Sequence, residues 1–267
     1  MPDFVNPLKE RLAAGDPVLG SWIWFTDPCS AEMMAQAGFD WLLIDVEHSH
    51  IGPESLRNII MAVDRYECAP IVRTKVGDID SIKVSLDAGA MGVIIPQINT
   101  PEEAQWAVKH TKYAPLGKRG IGAMRATSYG TRWDEYLSQA NEQILTIVQI
   151  EDRQAVDNLP HILSTPGLDG IFVGAFDLSQ SMGVLPGQTD PKLDATVDQV
   201  IDAARSRDLI VGACVTWDNV DSLVSKGVTL PIIGADVEFM FETARDCTKK
   251  WRQAREKVSV PAAGSHR

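Results

Sequence analysis

Eight short apolar runs, rich in β-branched residues, recur along this 267-residue chain, separated by longer amphipathic segments. Alternation of this kind is the signature of a parallel sheet whose strands are joined by crossover helices. The runs are Val18 to Phe25, Trp41 to His48, Ala69 to Val76, Gly92 to Ile98, Ile144 to Glu151, Gly170 to Leu178, Leu209 to Thr216 and Gly227 to Ala235. Helix starts follow several of them: Asp27-Pro28, Pro53, Asp78 as a cap, and Asn99-Thr100-Pro101-Glu102-Glu103. Eight such units in a chain of this length predict a single (β/α)8 TIM barrel over residues 1–256 and a flexible tail over 257–267. A doubly wound open sheet is the rival topology, but no GxGxxG follows the first run.

Composition narrows the class. A formal net charge of -11 opposes a nucleic-acid surface, which needs a basic footprint. No apolar stretch approaches the roughly 20 residues of a membrane span. The segment MPDFVNPLKERL has no signal-peptide core, so a cytoplasmic location is expected. Cys29, Cys68, Cys214 and Cys247 have neither CxxC nor zinc-finger spacing and read as reduced thiols.

In (β/α)8 barrels the active site lies where strands end, so the polar residues that close each run are the candidates. These are Asp45, Glu47 and His48 after the second run, Arg73 and Lys75 in the third, and Gln97 in the fourth. Gln149 and Glu151 close the fifth, Asp177 the sixth and Thr216 the seventh. Glu151 and Asp177 end adjacent strands, and with the amide of Gln149 they form an oxygen-rich set suited to a hard divalent cation, Mg²⁺ or Mn²⁺. The competing reading makes both acids caps of the helices that follow. Gly174-Ala175-Phe176-Asp177 can turn successive backbone amides toward a carboxylate. Gly117-Lys118-Arg119-Gly120-Ile121-Gly122 lacks P-loop spacing and reads as a flexible loop. Trp22 and Trp24, two apart on the first run, face the same way, as core filling or as a wall of the site.

Taken together, WLLIDVEHSH, PIVRTKV, LDAGAMGVIIPQI, YAPLGKRGIG, VQIE and VGAFDLSQSMG resemble the HpcH/HpaI aldolase family over nearly the whole chain, from about Leu19 to the last helix. Macrophomate synthase and the 2-keto-3-deoxy sugar acid aldolases share these motifs. The resemblance implies a class II pyruvate aldolase on a (β/α)8 barrel, cleaving a 4-hydroxy-2-oxo acid to pyruvate and an aldehyde through a metal-bound enolate. It makes Glu151 and Asp177 the metal carboxylates, with Mg²⁺ or Mn²⁺ preferred over Co²⁺ or Zn²⁺. His48 becomes the general base with Asp45 as its partner, and Arg73 contacts the keto oxygen. The amides of Phe176 and Asp177, with Ala175 and Gln149 close by, hold the substrate carboxylate. From the residues themselves, Glu47 reads as an acid bonded to metal waters, and Thr216 joins Trp22 and Trp24 as candidates for the site wall. Asp87 corresponds to an acid that enters a neighbouring subunit's site, implying a homo-oligomer: a hexamer built as a trimer of dimers, or a trimer, with the last helix exchanged between subunits. Ala175-Phe176 departs from the family's usual Pro-Ala, and Phe176 reshapes the substrate end. An oxaloacetate decarboxylase or macrophomate-synthase-like enzyme would use the same enolate. A Schiff base on Lys75 is the alternative without metal.

Overall fold

The computed structural model describes residues 4–185, 188 and 190–257. Eight parallel strands close into a barrel in chain order: β1 (Gly20–Ile23), β2 (Trp41–Asp45), β3 (Ala69–Arg73), β4 (Gly92–Ile95), β5 (Leu145–Ile150), β6 (Gly170–Val173), β7 (Ile210–Cys214) and β8 (Leu230–Ala235). The ring shuts where β1 pairs with β8. The expected (β/α)8 barrel is therefore the observed one. Helix α1 (Lys9–Ala13) precedes the ring. The first crossovers carry α2 (Pro28–Gln36), α3 (Pro53–Val63), α4 (Ile79–Ala88) and α5 (Pro101–Thr111), with α6 (Trp133–Gln143) before β5. Then come α7 (Arg153–Asp157), α8 (Leu159–Ile162), α9 (Ala175–Ser181), α10 (Pro191–Arg205), α11 (Val220–Lys226) and α12 (Asp236–Lys257). Among the described residues no helix is long and apolar enough to cross a membrane. The tail expected over 257–267 falls almost wholly outside the described residues.

Strands buried on both faces explain why the sequence runs are continuously apolar rather than alternating. Leu42, Ile44, Val72, Val93 and Val148 face the helices, while Trp41, Leu43, Ile71, Ile94, Ile147 and Phe172 fill the barrel interior. The helix starts follow the sequence signals: Asp78 accepts from the amides of Asp80 and Ser81, and Thr100 and Glu103 form a reciprocal capping box.

Most strands stop before the ends of their apolar runs. The largest difference is at the sixth run, where β6 ends at Val173 and α9 begins at Ala175, so Asp177 lies in the first turn of a helix and not on a strand. Composition hides this break, because the residues on both sides of Gly174 are apolar. The loop expected at Gly117 to Gly122 is also fastened rather than flexible. Arg119 is buried, its guanidinium lies 4.6 Å from the Tyr113 ring, and it pairs with Asp87 at 2.9 Å.

Candidate active site

The strand ends gather most of the charged candidates at one mouth of the barrel. Register sets Asp45 beside Arg73 at the end of the β2–β3 ladder. The Asp45 carboxylate, fully buried, takes the guanidinium in a two-point contact: Nε to Oδ1 at 3.0 Å and Nη2 to Oδ2 at 2.7 Å. A planar guanidinium held by two parallel bonds is fixed in orientation as well as position. Glu47 adds a second carboxylate 3.3 Å from Arg73 Nε, and the Trp22 ring lies 4.4 Å from the guanidinium carbon. These contacts leave Nη1 without a partner among the described residues.

The Asp45 carboxylate meets His48 at its backbone and not at its ring. Asp45 Oδ1 accepts the backbone amides of Glu47 (3.0 Å) and His48 (3.2 Å), not the imidazole. A tight bend after β2 turns those amides back onto the carboxylate and sends the His48 ring outward, where it is 67% exposed. Its nearest carboxylate is Glu47, at 3.8 Å from Nε2. Burial pushes the Glu47 carboxyl above its usual range, against the opposing pull of Arg73 and His48.

Glu151 follows β5 and is almost completely buried. Its Oε1 accepts the Gln97 amide at 2.8 Å, and its Oε2 accepts from Gln149 Nε2. Gln97 presents that amide from a left-handed conformation, φ 55°. Burial lifts the Glu151 carboxyl to about 7; the Gln97 and Gln149 hydrogen bonds pull it down, while the charges of Asp177 and Glu47 add to the rise. Gln149 Oε1 is buried with no hydrogen-bond partner among the described residues. Asp177 is exposed on α9, whose first internal bond runs from Leu178 N to Gly174 O, so the amides of Ala175, Phe176 and Asp177 are its open first turn. Phe176 is 62% exposed.

Some candidates stand apart. Lys75 lies beyond β3, exposed, beside Asp78 and Asp80 in a shallow groove between α3 and α4, so it does not share the strand face of Arg73. Thr216 is exposed, and its amide donates to Asn219 Oδ1 at 2.7 Å. Asp87 sits on α4 and is engaged by Arg119 of its own chain. Trp22 and Trp24 do face the same way, with ring centroids 6.0 Å apart. Two features escape a sequence reading: the close approach of Gly174 to Glu151, and Asp236. A Cβ on Gly174 would lie 2.6 Å from Glu151 Cβ, so the carboxylate occupies space that only glycine leaves. Asp236 accepts the amides of Trp24 (3.0 Å) and Phe25 (3.2 Å); as an acid directly after an apolar run it carried the same signal as Asp45.

Among the described residues no group of three or more His, Cys, Asp or Glu is placed to hold a metal. The surroundings of Glu151 nonetheless fit a hard divalent cation. A buried carboxylate whose ionisation is opposed by two further acids, beside an orphaned amide oxygen, has no positive side chain as partner among the described residues. Glu151 and Asp177 would supply two oxygens, leaving the rest of the coordination to water and substrate, as suits Mg²⁺ or Mn²⁺.

Residues 19–242 match the family described as HpcH/HpaI aldolase/citrate lyase. The chain belongs to this family. A hydroxypyruvate/pyruvate aldolase of Roseobacter denitrificans is 34% identical over 256 residues, covering 95% of this chain and 100% of that protein. A 4-hydroxy-2-oxo-heptane-1,7-dioate aldolase of Escherichia coli is 40% identical over 199 residues, covering 73% of this chain and 75% of its own length. The crystal structure of an HpcH/HpaI aldolase/citrate lyase family protein from Burkholderia cenocepacia has a TM-score of 0.88 at 32% identity, covering 93% of this chain and 100% of that one. Membership in the HpcH/HpaI family, with relatives named as aldolases, makes the chain an enzyme of the lyase type.

Proposed function

We propose that the protein catalyses the reversible aldol cleavage of a 4-hydroxy-2-oxo acid to pyruvate or a close 2-oxo acid and an aldehyde, with a divalent ion held by Glu151 and Asp177. The observation that carries this reading is the buried Glu151 carboxylate, which among the described residues has no cationic side chain as partner and lies beside the orphaned Gln149 oxygen and within the field of Asp177. A bound divalent ion there supplies Lewis acidity toward the keto oxygen. Arg73, locked by Asp45 and Glu47, directs its remaining Nη1 to where negative charge develops on that oxygen. The open amides of α9 receive the substrate carboxylate, which the positive end of a helix favours. His48, exposed at the rim, takes the proton from the 4-hydroxyl during cleavage and returns it during addition. Glu47 is the carboxylate that faces its ring.

Exchange of the methyl protons of pyruvate into deuterium oxide, followed by NMR, tests the reading. Exchange is expected with Mg²⁺ or Mn²⁺ present, lost on chelation and restored by either ion. Full exchange in EDTA together with trapping by borohydride would replace it with a lysine Schiff base, and absence of exchange under every condition would remove the enzyme reading altogether. Oxaloacetate measured in parallel separates aldolase from decarboxylase activity.

We also infer that the enzyme works as a homo-oligomer. From Glu238 to Glu256 α12 is exposed throughout, with Met240, Phe241 and Trp251 all more than half open to solvent. Large apolar side chains in this number on an exposed helix need an apolar partner, and a second copy exchanging the same helix supplies it. Sedimentation of the unmodified chain is expected to give an oligomer, and Phe241→Glu with Trp251→Glu a smaller species. A monomer in both cases rejects the assembly.

A further inference from the structure

Resting on the role of Arg73 proposed above, a chain of contacts leads from its guanidinium through Asp45 to Trp24 and Asp236. Asp45 does more than pair with Arg73, because its two oxygens accept five donors: Nε and Nη2 of Arg73, the amides of Glu47 and His48, and the indole Nε1 of Trp24. Oδ2 receives only two of them, Arg73 Nη2 at 2.7 Å and the Trp24 indole at 3.1 Å. The indole thus fixes the oxygen that faces the guanidinium nitrogen next to the free Nη1. On the other side Arg73 rests on Trp22, whose ring neighbours that of Trp24. Trp24 lies past the end of β1, where the strand ladder no longer holds the chain. Its backbone is held by Asp236, the buried first residue of α12, which accepts the amides of Trp24 at 3.0 Å and Phe25 at 3.2 Å. Trp24 donates to Oδ1, which also takes the Val237 amide at 2.9 Å, and Phe25 donates to Oδ2.

We propose that Trp24 and Asp236 are positioning residues for Arg73: Asp236 sets the backbone of Trp24, the Trp24 indole sets Asp45 Oδ2, and Asp45 sets the guanidinium. A plain wall or packing role for Trp24 depends on the bulk of its ring. The positioning role depends on one N–H.

Trp24→Phe removes that donor and keeps an aromatic ring. Because Arg73 acts on charge that grows toward the transition state, kcat is expected to fall about tenfold while KM for the 2-oxo acid stays within about twofold. Asp236→Asn is expected to shift kcat in the same direction by a smaller factor. The deciding measurement is a double-variant cycle: in an Arg73→Ala background, Trp24→Phe is expected to have no further effect on kcat, since residues on one path do not add. Circular dichroism and melting confirm that each variant is folded; if Trp24→Phe is not, the same cycle is run with Asp236→Asn. Loss of activity in Arg73→Ala with full activity in Trp24→Phe overturns this inference alone, as does an equal loss from Trp24→Phe in both backgrounds. Full activity in Arg73→Ala overturns the role of Arg73 and this inference with it.

Discussion

Gly174→Ala is expected to lower turnover by about a hundredfold or more while leaving the barrel folded. Gly174 has φ −88° and ψ 72°, so an L side chain meets no left-handed strain there, and the effect is one of space alone. The added Cβ would stand 2.6 Å from Glu151 Cβ, 2.8 Å from its Oε2 and 2.9 Å from Gln149 Nε2, closer than real Cβ atoms come. The carboxylate cannot simply swing aside, because Oε1 is held by the Gln97 amide and Oε2 by Gln149. Either the side chain shifts as a whole or β6 and α9 move apart, and α9 carries Asp177 and the open amides. A displacement near 1 Å in such a constellation costs about a hundredfold in rate, while the overpacking costs about 1–3 kcal/mol of stability. Turnover, and Mn²⁺ affinity by calorimetry, are to be measured on the same preparation. Gly120→Ala, where an added Cβ meets nothing within 4 Å, serves as the control. Unchanged turnover and metal affinity in Gly174→Ala would remove Glu151 from the site.

The contrast between Gly174 and its neighbours shows what a sequence of this kind conveys. Fold class was legible because each strand is buried on both faces and must be apolar throughout, whereas each helix carries a polar face. Strand ends were less legible, since burial continues past the last ladder bond: Val46 and Ile98 are buried beyond the ends of β2 and β4. The acids and Arg73 were recognisable as charges at the end of apolar runs. Their partners were not, because these depend on how a bend of two or three residues turns the backbone. Asp45 and His48 are three residues apart, a spacing equally compatible with a carboxylate on the ring and a carboxylate on the amide. Likewise, the bond from Trp24 to Asp45 exists only because β1 and β2 are adjacent in the closed ring. Asp236 repeats the pattern from across the closure: β8 brings it beside the end of β1.

In the metal-free protein, Glu151→Gln is expected to raise stability at pH 8 and to have little effect at pH 4. The Glu151 carboxyl sits at about 7 in the folded chain against an ordinary 4.5, burial being the main cause. Below 4.5 it is protonated whether folded or unfolded and contributes no difference. Between 4.5 and 7 the unfolded chain loses the proton first, so stability falls as pH rises, levelling off above 7. At about 1.4 kcal/mol per unit of separation, the full effect is about 3 kcal/mol. Glutamine does not ionise and escapes this loss. Its own polar atoms can be satisfied in place: its oxygen can still accept the Gln97 amide, and rotating the Gln149 amide offers the orphaned Oε1 to the new NH₂. Urea unfolding in EDTA at pH 4, 6 and 8 is expected to show the variant ahead by about 1–3 kcal/mol at pH 8, with the gap closing toward pH 4. Saturating Mn²⁺ at pH 8 is expected to reverse the order, because an ion that binds only the folded native site stabilises the parent chain and finds one fewer carboxylate in the variant. A variant that is the less stable protein in EDTA at pH 8 would mean that Glu151 is already compensated by the chain itself, and the case for a cation between Glu151 and Asp177 would fall with it.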